Sequence, residues 1–72
     1  MDEKQERFVR IAENRTNKII DMIKLLGNCS NKNNYSYSDQ QVEKIFNAIE
    51  QELKKAKNKY IINKDNGKFS LR

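Results

Sequence analysis

The sequence predicts a mainly α fold: an antiparallel two-helix hairpin with a short C-terminal β-hairpin or flexible tail, dimerising into a four-helix bundle. Three observations lead there. Two stripes, Phe8, Ala12, Arg15, Ile19, Met22, Leu26 and Val42, Phe46, Ile49, Leu53, Ala56, Tyr60, advance by alternating steps of four and three, and Arg15 alone breaks their apolar character. Position numbers across the stripes pair to a constant sum of 68, Phe8 with Tyr60 through Leu26 with Val42, so a chain folded at its middle zips them antiparallel in register. Proline is absent, which suits long uninterrupted helices.

The elements follow in order. A helix is expected near residues 3–26, opened by an Asp2–Gln5 capping pair and closed by Gly27 in a left-handed C-terminal cap. The polar stretch from Asn28 to Tyr37 is dense in turn formers. A second helix is expected near 38–59: Ser38 and Gln41 form a capping box, Asp39 suits the first turn, and Tyr37 with Val42 makes a hydrophobic staple. Residues 1–60 thus read as the helical hairpin and residues 61–72 as a basic tail. In that tail Asn66-Gly67 is a favoured type I′ turn pair, with Phe69 and Leu71 alternating after it, which reads as a short β-hairpin; the alternative is a frayed terminus.

A chain of 72 residues makes at most one domain, near the size where a single core is marginal. Val9, Ile20 and Ile23 on one flank of the first helix, Ile11 and Leu25 on the other, and Ile45 and Ala48 on the second helix stay apolar after the seam is used. A homodimer is the expected way to cover them. No apolar run approaches 18 residues and no secretory pattern is present, so a cytoplasmic protein with no membrane partner is expected.

The net charge of +5 belongs to one end. Residues 1–53 carry eight Lys or Arg against nine Asp or Glu, whereas residues 54–72 carry Lys54, Lys55, Lys57, Lys59, Lys64, Lys68 and Arg72 against Asp65 alone. Such a patch attracts phosphate backbones, acidic proteins or anionic lipid headgroups. It also suits a solvated helix end, where lysines complement the helix dipole. Lys54, Lys55, Lys57, Lys59, Lys64 and Lys68 are the candidate nucleic-acid contacts.

Residues for catalysis are scarce. Histidine is absent, which removes the usual general base and the commonest transition-metal ligand. Cys29 has no second cysteine with which to bridge or share zinc, and it reads as a partly buried small residue. Gly27 and Gly67 stand apart, so no glycine-rich phosphate loop exists. Carboxylates fall at i, i+3 or i+4 from Lys or Arg, as in Glu52–Lys55, the spacing of surface pairs. No catalytic residue, metal, cofactor or small-molecule substrate is therefore expected.

Arg15 sits at the centre of the first stripe, where an unpaired charge is costly. Mirror register sets it opposite Leu53 and beside Glu52, so an Arg15–Glu52 ion pair that fixes register is expected; an arginine held for an anionic partner is the alternative. Tyr35 and Tyr37, near Lys32, either stack on bases or pack over the end of the hairpin.

The segments Arg15–Lys18, Leu25–Asn31, Asn34–Tyr37 and Val42–Glu50, most distinctively the L-G-N-x-S-N…N-Y-x-Y loop, resemble a group of small helical proteins of Gram-positive bacteria encoded near plasmid, phage or conjugative-element genes. The resemblance covers about residues 7–60 and implies a mobile-element setting with no catalytic residues. Two functions follow as expectations. One is a non-enzymatic accessory protein of a mobile element that binds nucleic acid or a nucleoprotein complex through its basic end. The other is a pure protein–protein interaction module, an inhibitor or assembly adaptor.

Overall fold

The computed structural model describes residues 2–60, which hold two helices, α1 (Glu3–Asn28) and α2 (Asp39–Lys57). The chain divides into two compact units, residues 1–36 and 37–72, with one helix in each. Among the described residues there is no strand. The expected C-terminal β-hairpin, and with it Lys64 and Lys68, lies outside the described residues.

In the first unit Asp2 caps α1: its Oδ1 accepts from the Gln5 backbone N–H at 2.7 Å, and its carbonyl accepts from Glu6 N–H at 3.0 Å. Glu3 and Glu6 in the first turn complement the positive end of the helix dipole. The far end departs from expectation. α1 runs through Gly27 to Asn28, and no glycine among the described residues has positive φ. The left-handed glycine cap does not form because right-handed turns close the helix instead. Cys29, at φ −70° and ψ −3°, donates to the Leu26 carbonyl at 3.0 Å, and Ser30 N–H donates to Gly27 O at 3.1 Å. These i→i−3 bonds satisfy carbonyls that a left-handed cap would otherwise serve. Asn31 then organises the turn, its Oδ1 accepting from Asn33 N–H at 2.9 Å and its carbonyl from Asn34 and Tyr35.

In the second unit the capping box at α2 is complete. Ser38 Oγ accepts from Gln41 N–H at 3.1 Å, and Gln41 Oε1 accepts from Ser38 N–H at 2.9 Å. Tyr37 and Val42, the two members of the expected staple, are both half-buried. α2 ends at Lys57, two residues before the expected limit, since Lys59 and Tyr60 N–H donate to Ala56 and Lys57 carbonyls at 3.1 Å. With 26 and 19 residues, the helices are about 39 and 28 Å long.

No side chain among the described residues is buried. Val9, Ala12, Leu26, Tyr37, Val42 and Ile49 are half-buried, while Phe8, Ile19 and Met22 on α1 and Leu53 on α2 are more than half exposed.

Candidate interaction surfaces

The basic end is built on the last turn of α2, which carries Lys54, Lys55 and Lys57. Three cations there oppose the negative end of the helix dipole, which stabilises the turn that presents them. At about 100° per residue, Lys54 and Lys57 lie one turn apart on one face, and Lys55 points to another. Lys55 donates to Glu52 Oε2 at 3.2 Å, both side chains at least 70% exposed. That i, i+3 pair is the surface pair the spacing implied, and exposed pairs of this kind contribute well under 1 kcal/mol. Part of the Lys55 charge is thereby balanced, so the strongest concentration of positive charge on the helix is at Lys54 and Lys57. Lys59 follows beyond the C-cap Asn58.

Arg15 belongs to α1 and Glu52 to α2, and Glu52 accepts from Lys55 on its own helix. Tyr35 is half exposed in the turn, whereas Tyr37 is half-buried at the start of α2. The expectation of a partly buried Cys29 is corrected: the thiol is exposed, at the helix C-cap, with Sγ donating to the Leu25 carbonyl at 3.7 Å. A C-cap side chain lies past the apolar stripe, which ends at Leu26, so nothing in its own helix covers it.

The apolar faces differ in width. On α2, Val42, Ile45, Phe46, Ile49, Leu53 and Ala56 span an arc of about 100°, enough for one helical neighbour. On α1 the arc from Leu25 to Ile20 spans about 220°. Such a helix is covered only by neighbours on more than one side. Beside the seam, a shallow hollow on α1 is lined by Phe8, Val9, Ala12, Glu13, Thr16 and Asn17. The sequence places Val9, Ile20 and Ile23 only as a flank of the seam, and Thr16 has no part in that reading. The signal available was its i, i+4 spacing from both Ala12 and Ile20.

Among the described residues no three His, Cys, Asp or Glu side chains are grouped so as to hold a metal ion, and no helix is long and apolar enough to cross a membrane. Comparison with protein-family models, curated proteins and solved structures finds no match for this chain.

Proposed function

We propose that the protein is a non-enzymatic accessory protein of a mobile genetic element, acting in the cytoplasm, whose basic C-terminal end contacts nucleic acid or a nucleoprotein complex. Lys54 and Lys57 on one face at the end of α2 carry this reading, extended along the chain by Lys59, Lys64 and Lys68. The loop resemblance supports the mobile-element setting. In this reading α1 and α2 pair antiparallel through the mirrored stripes, with Ile19 against Ile49 and Arg15 reaching Glu52, and two such hairpins form a homodimer. In the mirror register Glu50 falls level with Lys18 and Glu52 lies beside Arg15.

Phosphate contacts by lysine are sequence-independent, so binding in the range of roughly 10⁻⁴–10⁻⁶ M at physiological salt is expected. The test replaces Lys64 and Lys68 with Glu, and separately Lys54 and Lys57 with Glu, and measures binding to mixed-sequence DNA and RNA at two salt concentrations. Each pair of reversals should weaken binding at low salt by at least tenfold. Unchanged binding in both variants removes the basic-end reading.

The exposed apolar surface of Phe8, Met22 and Leu53 favours a second reading, a pure protein–protein interaction module whose lysines only maintain solubility. It takes over if the wild-type chain binds neither nucleic acid.

A further inference from the structure

Beside the seam, α1 carries a second stripe: Gln5, Val9, Ala12, Thr16, Ile20, Ile23 and Gly27. Its steps of four, three, four, four, three and four read the same from either end, and Thr16 is the midpoint. The stripe holds no Asp, Glu, Lys or Arg. At about 100° per residue its members lie within about 80° of one another, centred about 80° from the middle of the seam stripe. Adjacent faces at that angle are what a helix at the corner of a four-helix bundle presents.

We propose that this face docks a second copy of the same chain, α1 against α1 antiparallel, with the two-fold axis passing beside Thr16. The proposal rests on the homodimer reading above and names its interface. Antiparallel pairing about Thr16 sets Val9 against the partner's Ile23, Ala12 against the partner's Ile20 and Gln5 against the partner's Gly27. At Ala12 and Gly27 large side chains thus meet small ones. The hollow beside Ala12 and Thr16 gives the partner's Ile20 its place. Ile20 and Ile23 are nearly half exposed on α1, so this surface is open to a partner. Charge agrees at the rim: Glu6 and the partner's Lys24 lie on the same rim, offset by two residues or about 3 Å along the helix, within reach of their long side chains, and the symmetry makes that pair twice. Using the seam stripe instead, about its own midpoint at Asn17, would bring Arg15 into the contact against the partner's Ile19. An uncharged face is self-complementary where the seam, with Arg15 near its centre, is not.

The test is cross-linking of the full chain in a Cys29→Ser background with copper phenanthroline as oxidant, the helicity of each variant checked by circular dichroism. Thr16→Cys lies on the axis, where the two Cα atoms approach within about 7 Å, the reach of a disulfide. That variant should cross-link to itself. Val9→Cys and Ile23→Cys should each remain monomeric on oxidation alone, and an equimolar mixture of the two should cross-link. Self-linking of Val9→Cys as readily as Thr16→Cys means a parallel contact and overturns the proposal, as does a chain that sediments as a monomer at 100 µM, a concentration of order 10⁻⁴ M that detects all but the weakest dimers. Because a core variant can fail to fold, a rim pair gives a second arm: Glu6→Lys should weaken dimerisation about tenfold, and adding Lys24→Glu should restore it. No rescue by the double swap overturns the antiparallel register. Cross-linking needs no nucleic acid, so its failure leaves the basic-end reading to stand or fall by its own assay.

Discussion

Replacing Gly27 with alanine separates two accounts of how α1 ends, because they predict opposite signs. Gly27 lies inside the helix, none of the described glycines has positive φ, and a Cβ added there meets nothing within 4 Å. Alanine therefore adds no clash and removes conformational freedom from the unfolded chain. A glycine inside a helix costs about 0.5–1 kcal/mol relative to alanine, and compatible Gly→Ala changes stabilise by about 0.4–1 kcal/mol. For a domain of this size 1 kcal/mol moves Tm by about 4–8 °C, so Gly27→Ala should raise Tm by about 2–8 °C. Had Gly27 formed a left-handed cap, alanine would instead cost about 1–2 kcal/mol and lower Tm. Thermal melts followed by circular dichroism at fixed protein concentration, with urea melts as a check, decide the sign. A lower Tm, with helicity otherwise intact, refutes the right-handed closure of α1 through Cys29 and Ser30.

Three further outcomes follow from the same geometry. Ser38→Ala breaks the box that joins Ser38 and Gln41 and should cost about 1 kcal/mol, whereas Ser38→Gly should cost only a few tenths, measured as urea midpoints. Ile49→Asp puts a carboxylate at mid-seam and should abolish cooperative melting in the hairpin reading; an unchanged melt removes the mirror register. Glu52→Gln releases Lys55 from an exposed pair and should change stability by less than about 0.5 kcal/mol, unless Glu52 also meets Arg15, in which case the loss is larger and screened by salt.

Local chemistry was the most legible part of this chain. Ser38 three residues before Gln41 fixed the start of α2, and Asp2 the start of α1, because a cap is decided within a few residues. Helix ends were less legible. Gly27 signals a left-handed cap by its residue type, yet backbone bonds at Cys29 and Ser30 carried the helix past it; at Lys57 the same kind of closure stopped α2 early. The lysine cluster could be counted from the sequence, but its division could not: Lys55 turns to Glu52, and Lys54 and Lys57 share a different face. The second stripe of α1 was visible only as a flank of the first. A seam read by alternating fours and threes places Val9, Ile20 and Ile23 beside it and gives no role to Thr16, whose hydroxyl hides its membership of an uncharged face.

The salt dependence of nucleic-acid binding tests the central claim most directly. Each phosphate neutralised contributes about −0.9 to the slope of log K against log salt on duplex DNA. If three or four of the lysines from Lys54 to Lys68 make such contacts, affinity for a labelled mixed-sequence duplex should fall about 40- to 150-fold between 50 and 200 mM salt. Fluorescence anisotropy across that range should give a slope near −3, and a slope near zero, or no binding at 50 mM, contradicts the account.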